Sequence, residues 1–141
     1  MGVFHDDEVP VALEVFDGAV AGTRSSLPDP DYTALGADVE GRLVGWVCWG
    51  PTPCTAGTYD LYWMAVDPAA QHGGVGTALV AEMERQLLGH ARLVVVETAG
   101  RPAYDATRAF YEARGYRLTA RIPDFYSPGD DLVVYTKSLV R

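Results

Sequence analysis

The sequence predicts a single α/β domain with a mixed β-sheet flanked by helices. Hydrophobic periodicity alternates between that of a helix and that of a strand, in the order helix, three strands, helix, strand, helix, two strands. The length of 141 residues suits one domain with a substantial core. Contents of 48% hydrophobic and 21% charged residues are typical of a globular protein.

The composition also excludes some classes of function. The net charge of −8 argues against general nucleic-acid binding, which requires a basic face, and favours cationic substrates such as amines. The sequence has no long apolar run that would suggest membrane insertion and no basic leader that would suggest export. We therefore expect a cytoplasmic protein. Cys48 and Cys54 have no histidines at ligand spacing, which predicts reduced thiols and no metal site.

The first element is predicted to be a helix over Asp6–Ala21, because Val9, Leu13, Phe16 and Val20 share one helical face. A loop is predicted over Gly22–Pro30. It is followed by strands over Tyr32–Val39 and Arg42–Trp49, which a hairpin turn at Glu40-Gly41 joins. A connection over Gly50–Gly57 then leads to a third strand over Thr58–Val66.

The next stretch organises the chain. Asp67-Pro68 stops the third strand, and the glycine-rich run Gln71–Gly76 leads into a helix that closes at Gly89. The apolar stripe of this helix comprises Val75, Ala78, Leu79, Met83 and Leu87. A strand, a glycine-rich turn and a helix start present backbone N–H groups at the positive end of a helix dipole, which binds phosphate without a cationic side chain.

The C-terminal half alternates strand and helix once more. Arg92–Thr98 is an apolar β-branched run, typical of a central strand buried on both faces. The remaining elements are predicted as a helix over Ala103–Arg114 capped by Gly115, and strands over Tyr116–Ile122 and Leu132–Leu139 around a loop over Pro123–Asp131.

Two motifs carry a resemblance to a known family. The run Gln71-x-x-Gly74-x-Gly76, preceded by a strand ending Met64-Ala65-Val66-Asp67-Pro68, resembles the acyl-CoA-binding signature of the GNAT superfamily of N-acyltransferases. Phe110–Tyr116 resembles the second marker of that family. The nucleotide-hydrolase phosphate loop does not fit, because Thr77 follows Gly76 without a lysine. The resemblance covers residues 31–141, which form the predicted cofactor-binding core. It extends more loosely to the predicted N-terminal helix, which together with a loop occupies residues 1–30.

The resemblance implies acetyl-CoA as the cofactor. The backbones of Met64 and Val66 would bind the pantetheine arm, and the Met64 N–H would face the thioester carbonyl. Two positions depart from the family pattern: His72-Gly73 replaces a common basic residue, and Tyr104 replaces a common asparagine. The residues implied to contact the cofactor are Met64, Ala65, Val66, Gln71, His72, Gly73, Gly74, Val75, Gly76, Thr77, Tyr104, Arg108 and Tyr111.

The resemblance also implies catalytic roles, each with an alternative. Tyr111 occupies the position of the acid that protonates the departing CoA thiolate, or it simply packs on the sheet. Asp60 is a candidate base, an electrostatic guide for a cationic amine, or merely a polar residue at a strand start.

The acceptor side is assigned to Asp60, Tyr62, Phe125 and Tyr126. Asp60 and Tyr62 share a strand face, and the aromatic rings and carboxylates of the segment Asp124–Asp131 suit a cationic amine. Ordinary turn chemistry is the alternative for that segment.

Together these features predict an N-acetyltransferase that moves the acetyl group of acetyl-CoA to a primary amine, on a small molecule or a protein, by direct attack in a ternary complex. The alternative is a non-catalytic acyl-CoA-binding sensor or scaffold. Relatives usually begin with a further strand and helix, which Met1–His5 cannot supply. Tyr32–Val39 would then be an unpaired sheet edge, so we expect a homodimer or another homo-oligomer that covers it.

Overall fold

A computed structural model describes residues 12–15, 32–70 and 73–140, with the backbone alone for 12–15. The strands and helices within these ranges are β1 (Ala12–Val15), β2 (Thr33–Val39), β3 (Arg42–Pro51), β4 (Thr58–Val66), α1 (Val75–Leu87), β5 (Leu93–Ala99), α2 (Asp105–Ala113), β6 (Arg117–Ser127) and β7 (Asp130–Ser138). No helix in this part of the chain is long and apolar enough to cross a membrane.

The chain divides into two compact units. The first unit contains the described residues up to Pro51 together with Leu61–Leu88, and the second contains Thr52–Asp60 together with the described residues from Gly89 onward. The first residues of β4, up to Asp60, therefore belong to the second unit, and the residues from Leu61 onward belong to the first.

In the first unit the strand order is β1-β2-β3-β4, and β2 pairs antiparallel with both β1 and β3. The β2–β3 hairpin was predicted, and its turn at Glu40-Gly41 is confirmed. Both turn residues have positive φ, 53° and 78°, as a type I′ turn requires.

The helix predicted over Asp6–Ala21 is wrong at Ala12–Val15, where the backbone forms β1 and pairs with β2 from Leu35 to Asp38. Leu13 and Val15 flank Glu14, so these residues also satisfy the period of a strand, and pairing with β2 decides between the two. The rest of the predicted helix, and the loop over Gly22–Pro30, lie outside the described residues.

The strand β1 also corrects a second expectation. Tyr32–Val39 was expected to be an unpaired edge, but β1 pairs with four residues of β2. The homodimer was predicted in order to cover that edge, so this reason for expecting it is removed.

Helix α1 packs against its own unit through the predicted apolar stripe. Val75, Leu79, Met83 and Leu87 are buried, as is Val80, whereas Ala78 is only partly buried. Gly45 on β3 makes this approach possible. A Cβ atom there would lie 3.0 Å from both the Ala65 carbonyl oxygen and Val75 Cγ1.

In the second unit the strand order is β5-β7-β6, with both neighbouring pairs antiparallel. Strand β5 was predicted to be buried on both faces. Val94, Val96 and Thr98 are indeed buried, but on the other face Val95 is only half-buried and Glu97 is exposed.

The loop predicted over Pro123–Asp131 is wrong, because β6 continues to Ser127 and β7 begins at Asp130. Only Pro128-Gly129 remains as the turn, with Gly129 at φ 82°. Pro123 is tolerated because β6 is the edge strand of this unit and Pro123 lies where the pairing register is interrupted. Helix α2 is shorter than predicted, because Pro102–Tyr104 forms a separate 3₁₀ turn before it.

Gly45→Val should destabilise the protein by roughly 1–3 kcal/mol, because a side chain at this position must displace α1 or β4. Leu43→Val introduces the same residue at a 50% exposed position of the same strand and should change stability by less than about 0.5 kcal/mol. Chemical denaturation of both variants measures the difference. Equal stability of the two would show that α1 does not pack closely on Gly45.

Candidate active site

Asp67 builds the turn between β4 and α1. Its N–H donates to the Val44 carbonyl oxygen at 2.7 Å, which ties the end of β4 to β3. Its carboxylate accepts the Ala69 N–H at 2.9 Å, and its carbonyl oxygen accepts the Ala70 N–H at 2.8 Å. These bonds fix the 3₁₀ turn Pro68–Ala70, so the predicted stop of the strand at Asp67 is confirmed.

The start of α1 is a backbone structure. Gly74 precedes the helix in the left-handed conformation, at φ 82° and ψ 2°, which glycine adopts without steric cost. Gly74 has no side chain with which to cap the helix, and the first turn contains no acidic residue. The N–H groups of Val75 and Gly76 have no acceptor within the helix and lie at the positive end of its dipole. Gln71 and His72 of the predicted loop lie outside the described residues.

In β4, just before this turn, the backbone N–H and C=O groups of successive residues point to opposite sides of the strand. The Ala65 carbonyl oxygen faces Gly45 of β3, and the Asp67 N–H bonds to β3. Because backbone groups of successive residues in a strand point to opposite sides, those of Met64 and Val66 face away from β3. The side chains of Met64 and Val66 are half-buried.

Tyr62, a predicted acceptor residue, is 42% exposed and stacks on Tyr32 with ring centroids 5.7 Å apart and planes 12° apart. The Tyr32 hydroxyl donates to Cys48 Sγ at 2.8 Å, and this bond holds the Tyr32 ring in place. The sequence did not identify Tyr32 as a residue of this site. Its partner Tyr62 lies 30 residues further along the chain, and no local pattern links the two.

Tyr111 lies on α2 in the second unit and is 4% exposed. Its ring makes edge contacts with Phe110 and Tyr116, at centroid distances of 5.4 and 5.7 Å. Burial raises the pKa of Tyr111 to about 12, so the phenol is neutral at physiological pH. Its hydroxyl has no hydrogen-bond partner among the described residues. The Tyr111 ring therefore packs against aromatic side chains of its own unit, and its phenol keeps its proton at neutral pH.

Arg108, a predicted phosphate ligand, is held by protein groups of its own unit. Its Nη1 donates to the carbonyl oxygens of Ala99, at 2.7 Å, and Arg101, at 3.0 Å, and its Nη2 pairs with Asp105. Only the remaining N–H groups of the guanidinium would be available to a phosphate. Tyr104, the other predicted ligand on this segment, lies under the Arg101 guanidinium at 5.1 Å from the ring centroid.

The remaining acceptor residues lie in the same unit. Phe125 and Tyr126 are 53% and 49% exposed, with ring centroids 5.0 Å apart in an edge contact. Partial burial, then the nearby Glu97 and Asp130 carboxylates, raise the pKa of Tyr126. Asp60 is half-buried, and its carboxylate takes part in none of the side-chain hydrogen bonds or ion pairs of the described residues.

A sheet with flanking helices, and a helix that starts at a left-handed glycine after a strand, are the features of a protein class that can bind an anion at a helix start. The sequence model of the acetyltransferase (GNAT) domain matches residues 30–118. The chain therefore belongs to the GNAT family of acetyltransferases. It is an acyltransferase, and the acyl donor of this family is acetyl-CoA.

Three similar proteins illustrate the relationship. A GNAT-family protein from Desulfovibrio desulfuricans is 32% identical, and its solved structure matches with a TM-score of 0.79 over 92% of this chain and 99% of that one. The L-2,4-diaminobutyric acid acetyltransferase of Nocardia farcinica is 30% identical over 131 residues, which cover 81% of this chain and 67% of that protein. An aminoglycoside 6′-N-acetyltransferase solved with coenzyme A shares the fold at 18% identity, with a TM-score of 0.70 over 80% of this chain and 76% of that one.

The buried phenol of Tyr111 should make stability depend on pH in the alkaline range. Its pKa in the folded protein is about 12, whereas an unfolded tyrosine ionises near pH 10, so the unfolded state loses this proton first. The resulting stability is fully present below about pH 10 and is lost as the pH rises towards about 12. Tyr111→Phe keeps the ring contacts and should flatten this decline, which chemical denaturation at pH 9 and pH ~11.5 measures. An identical decline in both proteins would contradict the burial of the hydroxyl.

Proposed function

We propose that the protein transfers the acetyl group of acetyl-CoA to a primary amine by direct attack in a ternary complex. The observation that carries this proposal is the start of α1, where Gly74 is left-handed and the first turn has neither a side-chain cap nor an acidic residue. A helix terminus of this kind binds a diphosphate through main-chain N–H groups. The proposed contacts run from Gln71 to Thr77.

The thioester is assigned to β4. Backbone groups of Met64 and Val66 face away from β3, so they point to the side on which an extended pantetheine arm could bind. The Met64 N–H would donate to the thioester carbonyl oxygen, where negative charge develops as the amine attacks. Ala65 between them faces β3 with its backbone and is held there by the close approach at Gly45.

The acceptor ammonium first loses one proton, and the amine nitrogen then attacks the carbonyl carbon. As the C–S bond breaks, the nitrogen loses its second proton to water and the thiolate takes a proton from an acid, which water then reprotonates. Tyr111 is proposed to supply this proton, because burial keeps its phenol neutral. Asp60 is proposed to attract the ammonium form of the acceptor and to accept its proton through water.

The acceptor is proposed to be a small amine with further charged or polar groups. Half-exposed aromatic rings at Tyr62, Phe125 and Tyr126 suit an ammonium group. The relative from Nocardia farcinica is named for L-2,4-diaminobutyric acid, which carries two amino groups, and this supports a diamine or amino acid as the first acceptor to test. The two free cysteines suit the reducing cytoplasm, where we propose the protein acts.

The proposal is tested by release of free thiol from acetyl-CoA across a panel of diamines, amino acids, aminoglycosides and peptides. The parent protein should turn over at least one amine with sequential kinetics. Tyr111→Phe should lower kcat about 100-fold with unchanged CoA affinity. Tyr59→Phe, which removes a phenol hydroxyl outside the proposed machinery, should have little effect.

Two results would count against this assignment. A parent protein that binds acetyl-CoA but acetylates no amine would favour the binding-module alternative. Ping-pong kinetics would contradict direct attack, because they require an acyl-enzyme intermediate.

Gly74→Ala should weaken CoA binding about tenfold, since the added Cβ strains the left-handed backbone and obstructs the approach of a phosphate. Gly89→Ala is the matched control: Gly89 follows the other end of α1 at φ 85° with nothing within 4 Å of the added Cβ. Both variants should lose a similar stability, of roughly 1 kcal/mol. Calorimetric titration with CoA compares them, and equal affinities would refute the role of the α1 terminus.

A further inference from the structure

Strand β6 contains a long bulge near its end, in which several residues lie opposite one residue of β7. Ile122 pairs with Leu132 and Ser127 pairs with Asp130, so the four residues 123–126 of β6 lie opposite Asp131 alone. Bulges of this kind interrupt a ladder and re-aim the side chains they carry, often beside active sites. We call residues 123–126 the aromatic bulge, because they include Phe125 and Tyr126.

The Asp131 side chain holds this bulge from the opposite strand. One carboxylate oxygen, Oδ1, accepts the Asp124 N–H at 2.9 Å, and the other, Oδ2, accepts the Arg121 Nε–H at 2.6 Å. The Asp131 side chain is 18% exposed, although the Arg121 side chain is 51% exposed. The Asp124 N–H bond first, and then Arg121, hold the pKa of Asp131 below its usual range, so the carboxylate stays charged at neutral pH.

A second bond closes the turn. Asp124 has φ 56°, in the left-handed region, and its Oδ1 accepts the Gly129 N–H at 2.7 Å. The carboxylate of Asp131 therefore fixes Asp124, and the carboxylate of Asp124 fixes the turn that follows Ser127. The Asp131 side chain on β7 is thus bonded directly to the backbone segment that carries both aromatic rings.

The rings are presented to solvent rather than used for packing. Phe125 and Tyr126 are half-exposed and contact each other edge to face, at a centroid distance of 5.0 Å. The carboxylates of Glu97 and Asp130 lie close enough to act on Tyr126. Aromatic faces beside negative charge attract an ammonium group that lies within about 6 Å of a ring centroid, so the attraction depends on where the rings are held.

We propose that Asp131 and its partner Arg121 are positioning residues that set the affinity of the enzyme for its amine acceptor by holding the aromatic bulge in shape. They act through Phe125 and Tyr126 and do not touch the reacting atoms. This inference rests on the proposed transfer to an amine, and it adds residues that determine which amine binds well.

Steady-state kinetics of two Asp131 variants test the inference. Asp131→Ala removes both hydrogen bonds and should raise the KM for the amine at least fivefold, while kcat stays within about twofold and the KM for acetyl-CoA is unchanged. Asp131→Asn keeps an oxygen for the Asp124 N–H and should restore much of the amine KM. Glu82→Gln is the control, because it breaks the Glu82–Arg85 ion pair on α1 and leaves the bulge intact.

Amide hydrogen exchange gives a readout that does not depend on activity. The Asp124 N–H should be protected in the parent protein and in Asp131→Asn, and should exchange faster in Asp131→Ala while the amides of β5 keep their protection. An unprotected Asp124 N–H in the parent would overturn the inference.

The kinetic result separates the two proposals. If the parent acetylates amines but Asp131→Ala leaves the amine KM unchanged, the positioning role is refuted and the proposed function stands. If the parent acetylates no amine, the proposed function fails and the selectivity role falls with it, even where the Asp124 amide is protected.

Discussion

The first unit depends on how closely its backbone segments approach one another where β4 turns into α1. At Gly45 there is no room for a Cβ atom between β3, the Ala65 carbonyl oxygen and Val75. The helix can therefore pack closely against the sheet, with Gly74 supplying the left-handed residue at its start. A binding surface made of main-chain N–H groups needs this rigidity, because its geometry is fixed by packing and cannot be adjusted by rotamers.

The parts of this arrangement that the sequence predicted are those specified by local chemistry. Asp67-Pro68 stops β4, Gly74 precedes α1, and the apolar spacing from Val75 to Leu87 gives the length and buried face of the helix. The β2–β3 hairpin follows from two turn residues that tolerate positive φ. In each case the residues that determine the structure lie within a few positions of it, so periodicity and turn preference are sufficient.

The parts that it missed depend on partners distant in the chain. Leu13 fits a helical stripe and a strand equally well, and only pairing with β2 selects the strand. The segment Asp124–Tyr126 has the composition of a loop, yet Asp131 on β7 holds it as a bulged strand. Arg108 was predicted to contact the cofactor, and no local pattern indicated that its guanidinium donates to the carbonyl oxygens of Ala99 and Arg101.

The proposed cofactor site, which is built from backbone groups, suits the charge of the protein. A net charge of −8 opposes a polyanion and favours an ammonium acceptor, and both effects are largely screened beyond about 8 Å at physiological ionic strength. In the proposed site, local N–H dipoles at the start of α1 would bind phosphate at contact distance, where screening is weakest, so they would not require a basic surface. Carboxylates elsewhere, such as Glu97 and Asp130, can then attract the acceptor without placing an acidic side chain in the first turn of α1. The acidic surface and the anionic cofactor are therefore compatible, because each ligand is recognised over a different range.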